Sequence, residues 1–195
     1  MEKKVRELRE YIRQVLLTEA AYSVEDLVKE DDLYIMIRRL GSSFRVKYVS
    51  PGHDFHPTIK GNILIRPVRS SMGNCLNAYM VATVTASEGH GPLLYDIAME
   101  LATENGGGLM ADRSSVSGEA RAVWEYYMNN RDDVMAMQLD DAMDSFDNGP
   151  EDDCDQMLSK DWPGKRWQDT PLSKVYRKDP TTLNALEQAG RLKRP

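Results

Sequence analysis

The chain has 195 residues, 41% of them hydrophobic and 29% charged, which is enough apolar material for one buried core and excludes wholesale disorder. A net charge of -6 and a pI near 5.2 argue against a general nucleic-acid binder, which needs a basic footprint. No apolar run approaches bilayer length, no secretory signal opens the chain, and Cys75 and Cys154 stand far apart without metal or redox spacing; a soluble protein of a reducing, intracellular setting is expected, with no membrane partner.

Residues 3 to 19 read as a basic amphipathic helix, with Val5, Leu8, Ile12, Val15 and Leu16 at helical spacing. Ser23 offers an N-cap for a second, short helix, followed by Glu25 and Asp26 in its first turn. The period then changes to two. Leu33–Leu40 and Phe44–Val49 read as strands joined at Gly41-Ser42-Ser43, Ser50–Thr58 as a loop, Ile59–Val68 as a third strand, and Cys75–Thr85 as a fourth. Pro92–Glu104 reads as a helix buried through Leu93, Leu94, Ile97, Ala98 and Leu101. Gly106-Gly107-Gly108 ends it, Leu109–Ala111 makes a short buried strand, and another helix starts at Ser115 or Ser117 with Ala120, Val123, Trp124, Tyr127 and Met128 on one side. Beyond Asn130 the pattern weakens, residues 140 to 155 are strongly acidic, and a last helix spans Thr181–Gln188 with Gly190 as its cap. The expected fold class is α+β: a mixed, mainly antiparallel sheet flanked by helices, with one crossover helix implying a parallel pair. Three parts are expected: residues 1–22 as a detachable helix, 23–135 as the core, and 136–195 as an acidic linker and C-terminal extension packing on that core.

The chemistry concentrates where the fourth strand meets the turn Ser87-Glu88-Gly89-His90-Gly91 and a helix begins at once with Pro92. Glycines let backbone N–H groups point into a concavity, and the helix N-terminus adds partial positive charge, so a phosphate or pyrophosphate suits this position.

Residues 59 to 130 resemble the acyl-CoA-binding core of the GCN5-related N-acetyltransferase (GNAT) superfamily. That family has a strand, a Q/R-x-x-G-x-G/A pyrophosphate loop, a helix, a strand and a second helix. Ala86-Ser87-Glu88-Gly89-His90-Gly91 matches both loop glycines, Leu93-Leu94-Tyr95-Asp96 resembles the following helix, and Ser117-Gly118-Glu119-Ala120 with Trp124 resembles the second helical motif. Ala86 replaces the usual Gln or Arg, Trp124 falls where the family often places its general-acid tyrosine, and Met128-Asn129 stand where a Gly-Phe pair normally follows.

The resemblance implies a GNAT-like acyltransferase that moves an acetyl group from acetyl-CoA to an amine. It implies that the amides of Glu88, Gly89, His90 and Gly91 cradle the pyrophosphate and that the strand edge at Thr83, Val84 and Thr85 holds the pantetheine arm. Tyr126 and Tyr127 are the candidate donors to the leaving thiolate, and Glu88 and Asp112 the candidate bases. Trp124 and Tyr127 also fit a core role, and Asp112-Arg113 a surface ion pair closing a strand.

No metal is expected. His53 and His56 supply two ligands without a third, and Phe146 occupies a position where the acidic run from Asp144 would need an oxygen ligand. Leu17-Thr18-Glu19-Ala20 resembles the cleavage site of tailed-phage prohead proteases, and the chain resembles tailed-phage proteins. That likeness implies residence in the host cytoplasm or the virion interior, with a protein substrate or phage head proteins as partners. It also implies the alternative reading, a non-catalytic phage protein on a GNAT-like scaffold, packaged in the head or directed at a host partner. A third reading has the acidic 140–155 segment recognising a basic partner.

Overall fold

The computed structural model describes residues 23–30, 32–51, 57–87, 89–113, 115–140, 154 and 166–195. The expected N-terminal helix with its Leu17–Ala20 site, the pair His53 and His56, Glu88, and the acidic run between 141 and 153 lie outside the described residues.

Helix α1 (Val24–Lys29) opens on a complete capping box: the Ser23 hydroxyl accepts from the Asp26 amide, and the Asp26 carboxylate accepts from the Ser23 amide. Strands β1 (Tyr34–Leu40), β2 (Ser43–Ser50), β3 (Thr58–Pro67) and β4 (Tyr79–Ala86) form the expected antiparallel meander. Their alternation decides the faces: Ile35, Ile37, Phe44, Val46, Ile63 and Ile65 are buried under the helices. Helix α2 (Gly91–Asn105) crosses back to β5 (Leu109–Met110), which pairs parallel with β4 as the crossover requires. Gly61 lets α2 lie close on the sheet, because a Cβ there would stand 2.9 Å from the Leu94 Cδ1.

Helix α3 (Gly118–Asn130) begins after Ser117, whose side chain accepts from the Ala120 amide. It leads to β6 (Val134–Gln138), β7 (Lys174–Lys178), α4 (Thr181–Gln188) and β8 (Leu192–Lys193). One mixed sheet of eight strands results, in the order β6-β7-β5-β4-β3-β2-β1-β8. The three strands after residue 130 have no counterpart in the sequence reading. Strand β6 is short and only half-shielded, with no alternation to see, and β8 has two residues. The four α-helices of the described residues contribute to one core on one face of the sheet, through residues such as Leu27, Leu94, Trp124 and Leu186. A smaller cluster of Cys75, Ala78, Met80, Met110, Leu139, Cys154 and Val175 lies apart from it. Gly190 ends α4 in a left-handed conformation (φ 67°); its amide bonds Glu187 and the Arg191 amide bonds Leu186, the two bonds of a Schellman cap.

Two sequence expectations are corrected here. Strand β4 starts at Tyr79, because Cys75, Leu76 and Asn77 all take positive φ (44°, 55° and 56°) in a tight left-handed turn. The Asn74 side chain and the Asn74 carbonyl both hold the Asn77 amide there. The cysteines do not stand apart as thiols of a reducing setting: Cys75 and Cys154 form a disulfide across a separation of 79 residues. A bridge between Gly73 and Cys154 brings them together, and spacing along the chain does not report such a tertiary approach.

Among the described residues no helix is long and apolar enough to cross a membrane.

Candidate functional site

Strands β4 and β5 diverge after one short contact. Tyr79 pairs with Leu109 and Met80 with Met110, and β5 then ends, while β4 runs on to Ala86. Among the described residues, the edge of β4 that faces β5 therefore has no strand partner from Val81 to Ala86. Its other edge stays paired to β3 along its whole length. Thr83 and Thr85 are exposed, opposite Leu64 and Asn62, and Val84 packs half-buried against the core.

At the end of that edge the chain turns. The Ser87 amide donates to Lys60, extending the β3 pairing, and the His90 amide donates 3.1 Å to the Ser87 carbonyl. Gly89, at φ 80°, supplies the left-handed residue this turn needs. The His90 ring is buried and meets Tyr48 edge-on at 5.0 Å, which ties the turn to β2. The His90 amide is thus already used by the turn. Helix α2 starts at Gly91, and the side chain of its N-cap residue, His90, makes no capping hydrogen bond. Pro92 lacks an N–H, so Gly91 and Leu93 carry the first-turn amides that have no intrahelical acceptor. Nothing among the described residues requires glycine at 91: its φ is not positive, and an added Cβ would meet only the Ala86 Cβ there, at 4.0 Å.

Helix α3 reaches this end of α2 from the side. The Tyr127 hydroxyl donates 2.6 Å to Asp96 Oδ1 and lies 3.0 Å from the Pro92 carbonyl. Burial, and then the Asp96 charge, hold its pKa well above the ordinary tyrosine value. Arg131 grips Asp96 through both terminal nitrogens at 3.2 and 3.1 Å, and Asp133 at 2.7 and 2.8 Å. The Arg131 hydrogen bonds lower the Asp133 pKa and those to Asp133 raise that of Arg131. Trp124 is buried, stacked on Tyr176 at 5.0 Å and edge-on to Tyr95 at 5.4 Å. Tyr126 is half-buried beside Tyr127, their rings 5.8 Å apart. Asp112 is half-buried just past the end of β5, at the mouth of the divergence. Arg113 is fully buried, which corrects the reading of Asp112-Arg113 as a surface ion pair.

The structure therefore gathers Thr83–Thr85, Gly89, His90 and Gly91 along one strand edge and turn, with Asp112 across the gap. Tyr127 sits inside a hydrogen-bonded core network, and Glu88 is outside the described residues. The sequence reading missed Asp96, Arg131 and Asp133. Its available signal was an acid in the buried stretch of α2, and the same signal applies to Glu100. That carboxylate is buried, pairs with the buried Lys178, and accepts from the Thr182 and Leu183 amides at 2.8 and 2.7 Å, capping α4.

An open cavity of about 900 Å³ lies at the opposite end of α2, between Pro67, Asn74, Asn77, Tyr79 and Asn105. A helix C-terminus carries partial negative charge, so that cavity does not suit an anion. Among the described residues no group of His, Cys, Asp and Glu is arranged to hold a metal.

Fold and site define an α+β protein with a diverging parallel strand pair that ends in a glycine turn at a helix N-terminus. In comparisons with family models, curated proteins and solved structures, the chain matches none.

Proposed function

We propose that this chain is a GNAT-like acyltransferase acting on an amine. The observation that carries the proposal is the divergence of β4 from β5, which leaves a strand edge unpaired among the described residues and leading to the Gly89–Gly91 turn and the start of α2. The residues fit an acyl-CoA: Gly91 and Leu93 amides face an anion at the positive end of a fifteen-residue helix, and Gly91 lets the ligand approach the backbone. The β4 edge from Val81 to Ala86 offers main-chain groups to a pantetheine arm. Acetyl-CoA, when bound, supplies the activated acyl group. Of this chain's own groups, Asp112 would take the amine proton, and Tyr126 would return one to the departing sulfur. Tyr127 already donates to Asp96, so its work is to hold α3 on α2.

Isothermal titration of the folded chain with acetyl-CoA tests this first; a millimolar ligand producing no heat removes the cofactor assignment.

A second reading, a non-catalytic binder on the same scaffold, draws support from the aromatic residues. Trp124 stands where the family places its general-acid tyrosine, Tyr127 is a candidate donor beside it, and both are buried. Acetyl transfer by the wild-type chain separates the two readings, and Tyr127→Phe tests the structural role of that tyrosine. The substitution should cost about 1–3 kcal/mol in urea unfolding on either reading. Under the acyltransferase reading, acetyl transfer by the folded variant stays close to wild type, whereas the binder shows no transfer in either protein.

A further inference from the structure

The four meander strands, in a chain of net charge -6, carry six cations and no carboxylate: Arg38, Arg39, Arg45, Lys47, Lys60 and Arg66. Strand alternation sorts them. With Ile35, Ile37, Val46, Ile63 and Ile65 turned into the helix-covered core, Met36, Arg38, Arg45, Lys47, Leu64 and Arg66 fall on the opposite face. Register then sets like charges side by side. Arg38 pairs directly with Arg45, which puts their Cβ atoms about 5 Å apart, and like charges so placed destabilise a sheet. Lys47 follows two residues on, opposite Met36. No carboxylate of a described residue forms an ion pair with Arg38, Arg45, Lys47 or Arg66. The Nε atoms of Arg45 and Arg66 are buried with no hydrogen-bond partner. Between β1 and β2 lies a cavity of about 110 Å³, lined among the described residues by Met36, Arg38, Leu40, Arg45 and Lys47.

We propose that this cavity is an oxyanion site for a phosphate group, held by Arg38, Arg45 and Lys47. The size fits one charged group rather than a whole cofactor, since sites for drug-sized ligands start at about 300 Å³. Two guanidinium forks and one ammonium supply enough donors for a tetrahedral dianion, and guanidinium geometry matches phosphate oxygens in pairs. Met36 and Leu40 make part of the wall apolar, which strengthens each of those hydrogen bonds. An anion seated there converts the Arg38–Arg45 repulsion into two attractions. This site is independent of the acyl-CoA reading: it lies on β1 and β2, away from β4 and the glycine turn.

The test is an amide-resolved NMR titration of the full chain with inorganic phosphate and, in parallel, glycerol 3-phosphate, at constant ionic strength against chloride. Saturable shifts at Arg38, Arg45 and Lys47, with a Kd of about 1 mM, are expected. Arg45→Gln and Lys47→Gln should each weaken binding about tenfold or more. Gly91→Ala should leave it unchanged, which separates this site from the glycine turn. A response to the free ion alone identifies inorganic phosphate as the source, and a stronger response to the ester identifies a phosphorylated metabolite. Shifts identical in phosphate and chloride, or affinity unaltered in both charge variants, would overturn the proposal. So would binding of single-stranded DNA without response to either small phosphate, which would mark a nucleic-acid surface instead.

Discussion

Helix α2 has glycines at both ends, and they answer to different demands. At its C-terminal end, Gly106-Gly107-Gly108 is dictated by packing. A Cβ at Gly107 would stand 1.7 Å from the Leu76 carbonyl oxygen, and the Gly107 amide donates to Asn77. The partner there is the left-handed turn Cys75–Asn77, whose conformation costs about 1–2 kcal/mol per residue and persists because neighbours hold it. At the N-terminal end, a Cβ at Gly91 would meet, among the described residues, the Ala86 Cβ at an ordinary 4.0 Å. A glycine the fold needs and a glycine it does not need look alike in a sequence. The second kind is the one that points to a ligand.

The sharpest way to break this contrast is to fill both positions. Gly107→Ala should cost about 3 kcal/mol or more, since backbone rather than a flexible side chain blocks the methyl group, and urea unfolding will measure it. A loss within a few tenths would remove the packing account. Next in size, reducing the Cys75–Cys154 disulfide or replacing both cysteines by serine should cost about 2–4 kcal/mol, because a long loop is released in the unfolded chain. An unfolding midpoint insensitive to dithiothreitol would show that the left-handed turn needs no such clamp.

At the other end of α2 the support is aromatic, and it titrates. Burial raises the Tyr95 pKa from the ordinary 10 to about 12 and moves Tyr127 and Tyr176 upward as well. The folded state therefore holds protons that the unfolded chain releases. Stability from these groups is complete below pH 10 and should fall as pH rises from 10 toward 12. A flat thermal midpoint across that window would contradict their burial. The smallest stability effect belongs to Gly91→Ala, expected within about 1 kcal/mol of wild type. Its acetyl-CoA affinity should nevertheless drop about tenfold. Equal affinity in the variant would mean that the turn at Gly89 and Gly91 merely connects a strand to a helix.

Legibility in the sequence followed the range of each interaction. The stripe Leu93, Leu94, Ile97, Ala98 and Leu101 is buried as its spacing requires, and Ser117 caps α3 as its side chain allows. The meander followed from period-two alternation, and the parallel β4–β5 pair from the crossover helix between them. The insertion of β7 between β5 and β6 was not legible, because Lys174–Lys178 pairs with segments remote in the chain and its side chains are buried against residues equally remote, such as Trp124 and Glu100. Glu100 and Lys178 illustrate the same limit: each reads as a solvated charge, yet they are buried as a pair, and Glu100 caps α4.

The candidate site divides along the same line. The residues themselves determined that a strand, a glycine turn and a helix N-terminus follow one another at Thr83–Pro92, since turn chemistry and amphipathic period are local properties of the chain. Tertiary structure alone decided that β5 leaves β4 after Met80, that Tyr127 is spent on Asp96, and that Cys75 meets Cys154. Each of these depends on which distant segments share space, and that follows from register and packing rather than from any window of neighbouring residues.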